Sequence, residues 1–218
     1  MFHLHRKLLL AFSGIVCLIA CNRADSEVTD TLPARQEVAY DTTYISALRE
    51  KGLEAAAFCT KKQLNTDYCF LLHMGRHSGY HRFFIWDLKN QTAIDSGLVS
   101  HGCGENSWGQ DHSADHPSFS NTYDTHLSSL GKYTIGKRGY SQWGIHVNYL
   151  MHGLDSTNSN ALGRAIVLHS WSQIPDTTVY PRGTPEGWGC PAVSNTFMED
   201  LDERLKVTSK PVLMWIFN

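Results

Sequence analysis

The sequence predicts a mainly β domain with a few peripheral helices. After residue 67, most of the chain consists of short apolar runs that are separated by turns rich in glycine and asparagine. Apolar residues at helical spacing are confined to three segments. No internal repeat or low-complexity tract interrupts this pattern, and the length after the N-terminal segment is within the range of one domain. We therefore predict one domain over residues 41–218.

The first 40 residues predict a leader and a tether. Arg6 and Lys7 precede an apolar stretch, residues 8–20, that is too short to cross a bilayer as a helix of about 20 residues. The stretch ends in Leu-Ile-Ala-Cys21, which resembles the lipobox of bacterial lipoproteins. Residues 1–20 are then a signal peptide, Cys21 carries lipid, and residues 21–40 form a polar tether. The alternative is an ordinary signal peptide or an uncleaved anchor with an incidental cysteine. Under the lipoprotein interpretation we expect an envelope protein, anchored in the outer membrane and facing the periplasm.

The predicted elements follow from periodicity. Helices are expected over residues 42–63, 159–164 and 194–205, with Asn195 capping the last of them. The predicted strands are residues 68–74, 81–88, 93–100, 131–135, 144–148, 165–169 and 212–217.

Charge and cysteine content narrow the possible functions. The formal net charge is −2, and no basic run is longer than the pair Lys61-Lys62, so we expect no nucleic-acid partner. Nothing in the sequence indicates an oligomeric state. Cys59 and Cys69 flank a short polar segment, where they form either a disulfide or two buried free thiols. Cys103 and Cys190 remain as possible working thiols.

The strongest chemical motif is Glu-Gly-Trp-Gly-Cys-Pro-Ala-Val, residues 186–193. A cysteine between glycine and proline lies in a tight turn, which exposes the thiol and can aim successive N–H groups at an oxyanion. The nucleophile is the thiolate, so Cys190 needs a nearby base or cation. His169, at the end of an apolar strand, is the best candidate base. The alternative is a structural cysteine and a histidine that is merely hydrogen-bonded.

These motifs occur in an ordered set that resembles the YkuD-type L,D-transpeptidase catalytic domain, in particular its murein L,D-transpeptidase branch. The resemblance runs from about residue 68 to the C-terminus. It covers RFFIWDL from residue 82, LVSHG from 98, FSN from 119, SSLGKY from 128, HGL from 152, NSNA from 158, RAIVLH from 164 and GCPA from 189. It implies a β-sandwich or barrel and a cysteine enzyme without a cofactor that acts on peptidoglycan stem peptides.

The resemblance also implies roles for individual residues. Cys190 would be the nucleophile and His169 its base, with the backbone carbonyl of Ser170 orienting the imidazole. Backbone N–H groups around Trp188, Gly189 and Cys190 would form the oxyanion hole. The enzyme would release the terminal D-residue of a stem tetrapeptide and pass the acyl group to an amine, as a transpeptidase does. An L,D-carboxypeptidase, which passes it to water, is the alternative.

The sequence departs from the family pattern at three positions. The family usually has serine or threonine in place of Gly187, often histidine in place of Trp188, and often asparagine in place of Ala192. The missing hydroxyl at residue 187 favours a further alternative, a non-catalytic lipoprotein that binds the cell wall.

Three other groups of residues could bind substrate, bind metal or act as a nucleophile. His101, Ser120 and Asn121 are predicted to line the substrate cleft, unless they only satisfy loop backbone groups. The histidines between residues 101 and 126 suggest zinc, but their spacing matches no known zinc motif, so we expect no metal. Ser129-Leu-Gly-Lys132 matches the S-x-x-K pattern of serine peptidases, but Gly131 interrupts the helix which that pattern requires.

Overall fold

A computed structural model describes residues 42–218, so the predicted leader, tether and Cys21 lie outside the described residues. The described chain contains helix α1 (Thr42–Lys62), then strands β1 (Tyr68–His73), β2 (Phe83–Asp87), β3 (Thr92–Gly97), β4 (Gly131–Tyr140), β5 (Val147–Gly153), β6 (Val167–Ser170) and β7 (Ala192–Val193), then helix α2 (Asn195–Val207) and strand β8 (Leu213–Phe217). Within these residues, no helix combines the length and apolar character that a membrane span requires.

The strands form one sheet in the order β3-β2-β1-β8-β4-β5-β6-β7. The pairs β1/β8 and β6/β7 are parallel, and the other neighbouring strands are antiparallel. An isolated bridge between Val99, just after β3, and Val193 in β7 joins the two ends of the sheet. The sheet is therefore a nearly closed barrel, and the predicted mainly β fold is confirmed.

Strands β1 and β8 are buried on both faces. Phe70 and Met214 belong to the interior core, whereas Cys69 and Trp215 belong to a second core, to which α1 contributes. Burial on two faces explains why these strands are continuous apolar runs without strict alternation of apolar and polar residues. Cys59 and Cys69 lie in the second core as buried free thiols.

Helix α2 packs its apolar face into the interior core through Phe197, Met198, Leu201 and Leu205. Its cap is Ser194, whose hydroxyl accepts the N–H of Phe197, and the predicted cap Asn195 is the first helical residue. The predicted helix over residues 159–164 is wrong. A 3-10 turn at Ser156–Asn158 and irregular turns occupy this region, because the side chain and backbone of Asn158 bond back to β4 and Asp155.

Candidate active site

The Cys190 turn is held between two walls of the barrel. On one side, the parallel pairing of β6 with β7 places His169 opposite Ala192, two residues after Cys190. On the other side, residues 99–103 bond to the turn: Ser100 N–H donates to the carbonyl of Ala192, and Gly187 N–H donates to the carbonyl of His101. Because strand β6 lies on one side of the turn and the hydrogen-bonded segment 99–103 on the other, the fold determines the position of the thiol.

Gly189 is required by this geometry. Its φ is +96°, which side chains rarely adopt, and an added Cβ would lie 2.5 Å from the carbonyl oxygen of Leu127. The carbonyl of Gly189 accepts the hydroxyl of Ser128. Gly187 differs, because an added Cβ there would meet no atom closer than Ser100 Oγ at 3.8 Å. The turn therefore has space for a serine or threonine at this position.

The thiol of Cys190 hydrogen bonds to the backbone leading into β6. Its sulfur accepts the N–H of Val167 at 3.4 Å and lies 3.9 Å from the carbonyl oxygen of Ala165, to which the S–H donates. Burial raises the pKa of Cys190, and the Val167 N–H and the charge of Arg164 partly oppose this effect. The resting residue is therefore a thiol, which needs a base before it can attack.

The imidazole of His169 is held in one tautomer. Its Nδ1 lies 2.9 Å from the backbone carbonyl of Ser170, as the resemblance implied. A carbonyl can only accept, so Nδ1 carries the hydrogen and Nε2 keeps its lone pair. Burial lowers the pKa of His169, and the Ser170 carbonyl partly opposes this effect. The ring is therefore neutral near pH 7 and able to take a proton.

His169 and Cys190 line one cavity of about 400 Å³. No hydrogen bond between these two described residues is present. Catalytic hydrogen bonds in free enzymes are often long and tighten only when substrate binds, so this geometry leaves proton transfer possible. Among the described residues, no backbone group accepts the N–H of Trp188, Gly189 or Cys190. These three N–H groups are the donors that an oxyanion hole needs.

Four tryptophans supply most of the remaining cavity wall: Trp108, Trp143, Trp171 and Trp188. Trp108 stacks on Trp171 with ring centroids 5.0 Å apart, and it lies 5.9 Å from Trp143 and 6.4 Å from Trp188. No sequence motif predicted this cluster, because its members come from four separate segments of the chain. The cavity is therefore apolar around a polar reactive pair, which is typical of a ligand site.

A family model described as the L,D-transpeptidase catalytic domain, YkuD_2, matches residues 42–215. The chain belongs to this family. Similar solved structures include Bd1075 of Bdellovibrio bacteriovorus, with 15% identity and a TM-score of 0.41 over 71% of this chain and 49% of that chain. An L,D-transpeptidase of Xylanimonas cellulosilytica has 10% identity and a TM-score of 0.42 over 76% of this chain and 77% of that chain. Pgp2, a helical cell shape determining protein of Campylobacter jejuni, has 11% identity and a TM-score of 0.43 over 78% and 55%.

The chain covers about half of Bd1075 and of Pgp2. No curated protein sequence matches it significantly.

The residues predicted to bind substrate lie elsewhere in this L,D-transpeptidase domain. The His101 side chain is fully buried behind the Cys190 turn, so it does not face the cleft. Ser120 and Asn121 are partly exposed, but their side chains bond within their own loops, to Thr122 and to residues 156–160. Neither residue lines the cavity that contains Cys190. Ser120 and Asn121 therefore satisfy polar groups of the loops, which was the alternative that the sequence left open.

His101 belongs instead to a buried chain of hydrogen bonds that the sequence did not reveal. Arg82 Nη2 donates to His101 Nδ1 at 2.7 Å, which leaves the hydrogen on Nε2 to donate to Ser113 Oγ at 3.0 Å. The Ser113 hydroxyl then donates to Glu186 Oε1 at 2.9 Å. The arginine and the glutamate are both fully buried. This chain ties residues 99–103 and the loop around Ser113 to the residue that begins the Cys190 motif.

Arg164 is the cation that acts on the Cys190 thiol. Its guanidinium donates to the carbonyls of Ser120 and Leu127, and its charge partly opposes the rise that burial causes in the pKa of Cys190. It lies just before β6, where Ala165 adopts a positive φ of 55°. Within residues 42–218, no group of three histidine, cysteine, aspartate or glutamate side chains is placed to hold a metal ion.

Proposed function

We propose that this protein is an L,D-transpeptidase that forms an acyl-enzyme on Cys190, with His169 as the base, and that its substrates are peptidoglycan stem peptides. The observation that carries the proposal is the fixed tautomer of His169. The Ser170 carbonyl holds Nδ1–H, so Nε2 keeps its lone pair, and His169 lines the same cavity as Cys190. Family membership supports the acyl-transfer chemistry.

The proposed reaction begins from a neutral pair. Nε2 of His169 takes the thiol proton as the sulfur bonds to the carbonyl carbon of the stem peptide. The N–H groups of Trp188, Gly189 and Cys190 donate hydrogen bonds to the developing oxyanion. The C–N bond then breaks, and Nε2–H gives its proton to the amine of the departing D-residue. An acceptor amine next attacks the thioester, His169 takes the proton of that amine, and the C–S bond breaks as Nε2–H returns the proton to the sulfur of Cys190.

Water can replace the amine in the last step, which would make the protein an L,D-carboxypeptidase. Trp188, at the mouth of the cavity, is 63% exposed, so the thioester would lie close to solvent. Mass spectrometry of tetrapeptide muropeptides incubated with the protein separates the outcomes. A cross-linked dimer supports transpeptidation, a trimmed tripeptide supports hydrolysis, and the absence of either product would support a non-catalytic role.

Two substitutions test the pair directly. His169→Ala should slow acylation by about 10²- to 10⁴-fold, the usual contribution of a general base. Cys190→Ala should abolish the covalent intermediate, and the double variant should behave like Cys190→Ala alone. The exposed His116 provides the matched control, since His116→Ala should acylate at the rate of the unmodified protein.

Raising the pH should partly rescue His169→Ala, because hydroxide generates thiolate without the imidazole. Near-full acylation of a folded His169→Ala variant, followed by intact-protein mass spectrometry, would refute the pair.

We also propose that Cys21 carries the lipid that anchors the enzyme in the cell envelope, with outer-membrane placement facing the periplasm. The support is the sequence alone: a short apolar stretch ends where the cysteine begins. Cys21→Ser should move the protein out of the membrane fraction, whereas Cys17→Ser, within the same leader, should not. Unchanged fractionation of Cys21→Ser, with an unmodified Cys21 by mass spectrometry, would contradict the anchor.

A further inference from the structure

Two exposed tryptophans form a ridge between two cavities. Trp108 is 43% exposed and Trp188 is 63% exposed, although large apolar side chains are usually buried. Both residues line the Cys190 cavity, and both also line a second cavity of about 860 Å³ on the other side. We refer to this pair as the indole ridge. Exposed aromatic surface beside a reactive site indicates a ligand that covers it.

The second cavity, called here the polar cavity, has a different lining. Its polar groups are carboxylates, an amide, hydroxyls and an imidazole, which belong to Glu105, Asp124, Asn106, Ser113, Ser118, Thr125 and His126. No lysine or arginine is among the described residues that line it. The ring of His126 stacks on Trp188, with centroids 5.4 Å apart and planes 25° apart. The stacked imidazole extends the ridge to the edge of the polar cavity.

From this juxtaposition, we propose that the indole ridge and the polar cavity bind an N-acetylhexosamine of the peptidoglycan glycan strand. A pyranose ring presents apolar C–H groups on its face and hydroxyl groups around its rim. The C–H face matches the electron-rich face of an indole. The rim hydroxyls match acceptors such as Glu105 and Asp124, since hydrogen bonds to ionised acceptors are the stronger ones.

Other ligand classes fit this site less well. An anionic polymer would approach the carboxylates of Glu105 and Asp124 with no lining cation to offset the repulsion. A lipid or an apolar peptide would cover the ridge but would desolvate the carboxylates of Glu105 and Asp124 without offering them a donor, which is costly. A neutral sugar satisfies both parts of the surface.

The spacing also fits a glycan-linked substrate. This step rests on the proposed function, in which a stem peptide is cleaved at Cys190. About three residues separate the sugar from the scissile bond of a stem tetrapeptide, and an extended chain spans roughly 3.3–3.6 Å per residue, or about 10 Å. The two cavities share the indole ridge as a common wall. One substrate can therefore place its sugar in the polar cavity and its peptide beside the thiol.

The test measures binding of peptide-free chitotetraose to the intact protein by isothermal titration calorimetry. Trp188→Leu should weaken binding by about tenfold, since one aromatic stacking contact is worth up to about 1.5 kcal/mol. Asp124→Asn should also weaken binding, because it removes a charged acceptor while asparagine tolerates the positive φ of 59° at that position.

Trp143→Leu is the matched control. Trp143 is 46% exposed and contacts Trp108, but it lines only the Cys190 cavity. Binding of chitotetraose by this variant should equal that of the unmodified protein. Equal weakening in Trp143→Leu and Trp188→Leu would overturn the proposal, as would the absence of any binding. Weaker binding of a free stem tetrapeptide by Asp124→Asn would also overturn it, because the peptide would then occupy the polar cavity.

The two proposals fail in different experiments. Binding of chitotetraose by a protein that produces neither dimer nor tripeptide would refute the proposed enzyme and support the glycan site. Turnover of free tetrapeptide by a protein that does not bind chitotetraose would refute the glycan site alone.

Discussion

Replacing Arg82 with methionine tests whether the buried hydrogen-bond chain behind the Cys190 turn stabilises the domain. Arg82 is fully buried, and all five of its N–H groups donate: two to Val99 O, one each to the carbonyls of Met74 and Arg76, and one to His101 Nδ1. Methionine fills a similar unbranched volume but donates nothing.

The magnitude follows from the acceptors that lose a partner. Val99 O keeps the hydroxyl of Thr184, and the bond to Arg76 O is only partly buried. That leaves two buried acceptors, Met74 O and His101 Nδ1, without a donor. An orphaned buried polar group costs about 1–3 kcal/mol, so we expect a loss of roughly 4 kcal/mol in the free energy of unfolding. That is a large part of the 5–15 kcal/mol which is typical of a whole domain.

Equilibrium unfolding in urea measures this loss, provided that the slope against denaturant is unchanged. The free energy of unfolding of Arg82→Lys should lie between those of Arg82→Met and the unmodified protein, because lysine keeps the charge but has only three donors. The exposed Arg49 supplies the control, and Arg49→Met should lie within about 0.5 kcal/mol of the unmodified protein. An Arg82→Met variant that loses less than about 1 kcal/mol would refute this account of the hydrogen-bond chain.

Four further predictions concern the same region. Burial and the charge of Arg82 lower the pKa of His101 to about 3. As the pH falls, the unfolded chain therefore binds this proton before the folded chain does. The free energy of unfolding should decline from about pH 6.5 towards pH 3, by up to roughly 5 kcal/mol. His101→Gln should flatten this profile in urea titrations, and an unchanged slope would contradict it. Gly189→Ala should destabilise the domain by about 1–3 kcal/mol and slow alkylation of Cys190, because the φ of +96° and the Leu127 carbonyl oppose a Cβ; a normal melting temperature and labelling rate would count against it. Gly187→Ser should keep the stability within about 1 kcal/mol, since the nearest atom to its Cβ is 3.8 Å away, and a larger loss in thermal unfolding would show that the turn has no such space. Iodoacetamide should label Cys190 before Cys103. Burial raises the pKa of both thiols, but Cys103 is only 4% exposed, whereas Cys190 is half-buried in the cavity that His169 also lines. Peptide mapping that places the label mainly on Cys103 would reverse the assignment.

Local sequence was sufficient to predict most elements. The apolar runs of β1, β2 and β8 and the spacing in α1 and α2 reflect burial, which is the physical origin of these patterns. The Gly-Cys-Pro turn was also predictable from the sequence, because Gly189 adopts a backbone conformation that residues with a side chain rarely adopt. The helix predicted over residues 159–164 was wrong, since a side-chain hydrogen bond from Asn158 to β4 ends the helical turn.

The sequence alone determined the mainly β architecture, because periodicity and backbone restrictions are local properties, and its motifs pointed to Cys190 and His169 as the candidate pair. Tertiary structure decided which other groups surround that pair. It buried His101 against Arg82, brought Glu186 to Ser113, and gathered tryptophans from four separate segments around the thiol. Contacts between residues far apart in the chain depend on how the sheet curves and closes, and no short stretch of sequence encodes that closure.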